Sequence, residues 1–232
     1  MKWRKMAVMR AVPFAPKSQR NTVRQTILIA LIFALFYSAT ISAQAEDSPE
    51  FVDPKWFHKI DRTQIPLCYE YSCKIQTTFS LLDHQWRKLR SLFESPTQSA
   101  ESERKKIRQG IQWMEQWAGE QSPTFRDKAK NHQPDAIWPG QLDCVDETTN
   151  STTYMTLFLE QGWLRFHRVE SFVQRNEGFF LGHYGAHIYD IQAKQHYAVD
   201  SWHLDNGQKP FIQLLDKWKN REPLSALGVD SN

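Results

Sequence analysis

Apolar positions along the chain follow several different periods, and each change of period marks a change of element. From Ile27 the stretch ILIALIFALFYSATISAQA is apolar without alternation. A polar link follows, EDSPEFVDP over 46–54. CKIQTTFSL then sets Ile75, Thr77, Phe79 and Leu81 at every second position, which predicts a short strand. LLDHQWRKLRSLFE places Leu82, Trp86, Leu89 and Leu92/Phe93 on one helical face, with Ser80 and Asp83 resembling a capping box at its head. A second amphipathic helix is predicted from about Glu103 to Gly119, with Ile107, Ile111, Met114 and Trp117 as its core stripe. QSPTFRDKAKNHQPDAIWPGQLD shows no period and reads as a long polar loop, a type that often carries function.

Beyond this loop DETTNSTTYMTLFLEQG predicts a helix stopped by Gly162. Its Thr run has poor helix propensity, so packing must hold it, as in a buried central helix. After Gly162 the period becomes two. WLRFHRVESFV, FFLGHYGAHIYDI and QHYAVDSWHL predict antiparallel strands with short turns, and PFIQLLDKWK predicts a closing helix. Helices, then one central helix, then an antiparallel sheet make an α+β fold class.

Charge changes the meaning of the first stretch. The first 45 residues hold seven basic residues and no acid, and they end in Ala43-Gln44-Ala45, a small-x-small pattern that signal peptidases accept. The segment 1–45 is therefore expected to be a signal peptide or an uncleaved N-terminal membrane anchor, with the domain 46–232 outside the cytoplasm. Of the chain's 29 basic residues 22 remain beyond it, against 26 acidic ones, so the domain is acidic. That composition gives no argument for nucleic-acid binding, and membrane contact is expected only through the N-terminal segment.

Export makes the three cysteines informative. Cys68 and Cys73 are close enough to form a disulfide in an oxidising compartment, which leaves Cys144 odd. A free thiol there is either buried and inert or retained for its chemistry. At the first turn of a helix, unpaired N–H groups and the helix dipole favour thiolate. A nucleophilic Cys also needs a base and a group to orient that base. His187 lies on the following strand pattern, and Asp200 on the next; a hairpin centred near residue 193.5 would set them opposite one another. His183 competes for the base role, four residues earlier on the same strand face. Gln141, three residues before Cys144, is a candidate oxyanion donor.

Cys at a helix head, His on a strand and Asp on the next strand, carried by GQLDCVDE, HIYDI and YAVDSW, resembles the transglutaminase-like branch of the papain-like cysteine enzymes, with bacterial periplasmic cysteine proteinases as the nearest comparison. The resembling part is residues 138–207. The resemblance implies a papain-like core, with Cys144 as nucleophile, His187 as general base and Asp200 as orienter. It also implies an amide hydrolase acting on a protein or peptide substrate of the cell envelope. Small residues often found near that family's Cys are replaced here by Thr and Asn. A cell-wall peptidase of the same clan is one alternative. A catalytically silent fold that binds an envelope partner through a Trp-rich surface is another.

No cofactor or metal is expected. Zinc held by Cys144, His183 and His187 is disfavoured, because positions four apart on a strand set the two rings about 13 Å apart. The acids near Cys144 lack the spacing of a calcium loop, and no phosphate loop, Gly-x-Ser-x-Gly elbow or dinucleotide fingerprint occurs.

Overall fold

The computed structural model describes residues 52–131, 138–176 and 182–224. The leader expected over 1–45 and its cleavage point lie outside them. Strand β1 (Ile65–Tyr69) pairs antiparallel with β2 (Ile75–Phe79), setting Cys68 across from Gln76. The alternation around Ile75 thus marks a real strand. Its partner went unpredicted because IPLC in β1 buries both faces and does not alternate.

Helix α1 (Asp83–Glu94) and helix α2 (Ala100–Gly119) follow. The expected box of Ser80 and Asp83 is not what caps α1: Ser80 Oγ donates to the Thr63 carbonyl, and the Leu82 N–H donates to Gln85 Oε1. α2 starts three residues before the expected Glu103, because Ser99 Oγ accepts from the Ser102 N–H. Helix α3 (Cys144–Glu160) is buried along most of its length, its Thr and Asn side chains included.

Four strands, β3 (His167–Asn176), β4 (Gly182–Asp190), β5 (Gln195–Asp200) and β6 (Phe211–Leu214), form an antiparallel sheet in chain order. The predicted closing helix PFIQLLDKWK is therefore corrected. Its first half is β6, and only Leu215–Lys219 is helical, as α4. The open edge of β5 pairs Val199 with Ile212, a gain that local periodicity cannot register. With helices and antiparallel sheets around one main core, the fold is α+β.

The two faces of the larger sheet serve different neighbours. Ala186, Ile188, Tyr197, Val199 and Ile212 join Tyr154, Met155, Leu157 and Phe158 of α3 in the main core. On the other face Val173 and Ala198 pack on Trp218 of α4. A buried polar clamp ties α2 to the sheet: Glu103 Oε1 meets His167 Nδ1 at 2.9 Å, and Arg104 meets Asp190 at 3.3 Å. Among the described residues no helix is long and apolar enough to cross a membrane.

Candidate active site

Cys144 is the first residue of α3, and Asp143 is its N-cap, accepting from the N–H groups of Val145 and Asp146 at 3.0 and 2.9 Å. The acids beside Cys144 thus have structural work. Asp146 accepts from Tyr71 N–H at 2.8 Å and Cys73 N–H at 2.6 Å, and Asp143 from Ser72 N–H at 3.0 Å. Cys68 and Cys73 are bridged and Cys144 is free, as the thiol count indicates.

The polar loop delivers Cys144 along a fixed path. Leu142 N–H donates to Asp127 Oδ1 at 2.7 Å, and Gly140 N–H to Glu70 Oε1 at 2.5 Å. Gly140 is required here: its φ is +93°, and a Cβ would stand 2.1 Å from the Pro123 carbonyl oxygen. Gln141 is buried, and its Nε2 donates to the Arg126 carbonyl at 2.8 Å. That amide is spent on holding the loop.

The β4–β5 register places His187 across from Ala198 and Ala186 across from Val199. The hairpin centre therefore lies one residue earlier than the sequence count supposed. His187 does not face Asp200. Its Nδ1 bonds the Ser171 carbonyl at 3.0 Å, and its Nε2 meets His196 Nδ1 at 2.8 Å. A carbonyl only accepts, so Nδ1 carries the proton and, in neutral His187, the Nε2 lone pair is already taken by His196. Burial holds His187 below the usual histidine range.

His183 is the imidazole that reaches Asp200, through Nε2 to Oδ2 at 2.8 Å. Both side chains are buried. Burial pushes Asp200 up, yet the bonds from His183 and Trp218 and the nearby His203 together hold it below the usual carboxylate range. An ionised carboxylate only accepts, so His183 carries its proton on Nε2 and keeps the Nδ1 lone pair. Trp218 Nε1–H donates to the same Oδ2 at 2.8 Å, and the His183 ring packs against Trp202 and Trp218 with centroids 4.7 and 5.6 Å away. Gly185 lets that indole lie on the strand, since a Cβ there would come 3.1 Å from Trp218 Cζ2.

The Cys144 sulfur lies at the start of the same strand, where the Tyr184 N–H is directed at it. Burial pushes the thiol up to about 11; the charges of Asp143 and Asp200 add to this, while the N–H groups of Tyr184 and of Cys144 itself oppose it. The helix terminus alone does not make a thiolate, because burial and a carboxylate cap outweigh it. Among the described residues no hydrogen bond joins Cys144 to His183 or His187.

Two members of this cluster were not singled out from the sequence. His203, three residues after Asp200, sets Nε2 3.5 Å from Asp200 Oδ2, and Trp218 arrives from α4. The run VDSWH held the only local signal for the first, and nothing local pointed to the second. No family model matches the chain, and neither do characterised proteins or solved structures.

Proposed function

We propose that this chain is an exported, cysteine-dependent amide hydrolase built on a papain-like core, with Cys144 as nucleophile, His183 as base and Asp200 as the group that orients the base. The observation that carries this reading is the 2.8 Å bond from His183 Nε2 to Asp200 Oδ2, a carboxylate whose charge is felt at the Cys144 thiol. His187, the base expected from the sequence, has its lone pair engaged by His196.

With a thiol near 11, only about one molecule in 10⁴ carries thiolate at neutral pH. Proton removal therefore accompanies attack. His183 Nδ1 takes the thiol proton as Sγ bonds the substrate carbonyl carbon. It returns that proton to the leaving amine as the C–N bond breaks. Water then gives a proton to Nδ1 and its oxygen to the acyl carbon, and the departing sulfur recovers the proton. Since Gln141 is tied to Arg126, the backbone N–H of Cys144 at the helix head is the oxyanion donor this reading assigns. The substrate class is a protein or peptide of the cell envelope.

The test is covalent labelling by a peptidyl vinyl sulfone followed by peptide mapping. Labelling is expected on Cys144 and absent in Cys144→Ala. It should fall by about 10²–10⁴ in His183→Gln, the usual size of a lost general base, and stay near wild type in His187→Gln. Equal labelling of folded His183→Gln and wild type would sink the assignment. A silent fold that binds an envelope partner is favoured by one observation, the protonated thiol without an imidazole bond. It predicts no labelling of native protein.

A further inference from the structure

Asp200 gives His183 one oxygen, Oδ2; the other, Oδ1, is buried without a hydrogen-bond partner among the described residues. A second imidazole stands on the outer side of this pair. His203 is partly exposed, and its Nε2 lies 3.5 Å from the same Oδ2. One donor atom from each of His183, Asp200 and His203 falls within 4.8 Å of the others.

Those separations are close to what a tetrahedral ion requires. With metal–ligand bonds of about 2.0–2.1 Å, tetrahedral ligand atoms stand about 3.4 Å apart. The pairs through Asp200 measure 2.8 and 3.5 Å, so the shorter must open by about 0.6 Å. Lone-pair direction agrees. Arg175 Nη2 meets His203 Nε2 at 3.3 Å, and a guanidinium only donates, so that nitrogen carries a lone pair next to Asp200. Two imidazole nitrogens and one carboxylate oxygen suit zinc, and not calcium or magnesium, which prefer all-oxygen shells.

We propose that His183, Asp200 and His203 bind one divalent transition ion of the zinc type, and that the ion silences the candidate active site. On binding, the His183 proton moves from Nε2 to Nδ1 and Nε2 takes the metal. His203 Nε2 exchanges its contact with Arg175 for the metal. Asp200 contributes Oδ2 and has Oδ1 available as well, and a water completes the shell. The positive charge of Arg175 opposes the ion and limits its affinity. The trio differs from the set rejected on sequence grounds: neither Cys144 nor His187 belongs to it. The silencing rests on the function proposed above, since a metal on Nε2 breaks the bond to Asp200 and leaves the proton on Nδ1, which then has no lone pair to accept the thiol proton.

The test uses the whole protein after chelator treatment. Zinc is titrated by calorimetry, and cobalt by the visible bands of a tetrahedral site. One equivalent is expected to bind at about micromolar concentration, with little net proton release, since the His183 proton shifts to Nδ1. Binding should weaken at least about tenfold in His203→Gln and again in Asp200→Asn, a loss in line with removal of a ligand. It should be unchanged in Cys144→Ser. Zinc should inhibit turnover at the concentration at which it binds. His203→Gln should shift that midpoint at least about tenfold, measured relative to the variant's own zinc-free turnover. Absence of one-to-one binding, indifference to both His203→Gln and Asp200→Asn, or loss in Cys144→Ser would overturn the site. Binding as described in a protein without turnover would leave the metal site standing and remove the enzyme. Turnover without zinc binding would do the reverse.

Discussion

Two histidines four residues apart on β4 are chemically distinct because their lone pairs have different neighbours. His187 spends Nδ1 on a carbonyl and Nε2 on His196; His183 spends only Nε2, on a carboxylate. Cys144 adds a third residue whose state is decided by surroundings and not by its place at a helix head. With its thiol at about 11, its reaction with iodoacetamide should rise about tenfold per pH unit from pH 7 to 10, following thiolate fraction. Stopped-flow or quenched labelling at Cys144 measures this. A plateau near pH 6 would instead reveal a preformed thiolate–imidazolium pair.

At the scale of elements, the head of α3 and the turn between β1 and β2 stabilise each other. Glu70, Tyr71, Ser72 and Cys73 all have positive φ, at 68°, 64°, 55° and 55°. A left-handed turn of non-glycine residues costs about 1–2 kcal/mol per residue. Three of its N–H groups donate to Asp143 and Asp146, the carboxylates that open α3, and the Cys68–Cys73 bridge closes it. Asn150 adds a two-way clasp, accepting from Cys68 N–H at 2.9 Å and donating to its carbonyl at 2.8 Å. Cys68→Ser with Cys73→Ser should therefore cost about 2 kcal/mol, the chain entropy of so short a loop. It should also speed amide exchange at Val145 and Asp146, because the capping carboxylates lose their partners. Denaturant melting and hydrogen exchange read the two effects. Unchanged exchange at the α3 head would separate the turn from the helix.

For the whole molecule, the polar interior around α3 shapes the pH dependence of stability. Burial pushes Glu115 up to about 8, with the charge of Asp127 adding and the Gly207 N–H opposing. Burial likewise raises Asp127 to about 7 and Asp146 to about 8, and it holds Glu147 well above the usual range. An unfolded carboxyl titrates near 4, so between about pH 4 and pH 8 the folded chain retains protons that the unfolded chain has lost. Stability from these groups is fully present below about pH 4 and falls as pH rises to about 8. Asp200, held low, acts oppositely and is lost as the pH falls through its folded value. Glu115→Gln keeps an acceptor for Gly207 and removes the titration. It should narrow the gap in melting temperature between pH 5 and pH 8 by several degrees, on the order of 1 kcal/mol or more. A gap equal to wild type would show that Glu115 is not the group responsible.

Local pattern was enough for the elements whose apolar spacing is regular. The stripe Ile107, Ile111, Met114 and Trp117 needs only a 3.6-residue period to become a helix, and GHYGAHIYD only a period of two to become a strand. The close cysteine pair and the odd Cys144 were likewise legible by counting. β6 was not, because PFIQLLDKWK suits a helix and the edge of β5 supplies what makes its first half a strand. The imidazole that meets Asp200 was undecided for a related reason. Side chains alternate along a strand, so His183 and His187 share a face, and sequence ranks them only by guessing the turn centre. A one-residue shift of that centre set Ala198 across from His187 and moved Asp200 two positions along β4 towards His183, which bonds it diagonally. Residue types and their order were sufficient to name candidates, since chemistry and period are local. Register, burial and lone-pair occupancy assigned their partners, because those depend on chain segments that meet only in the folded protein.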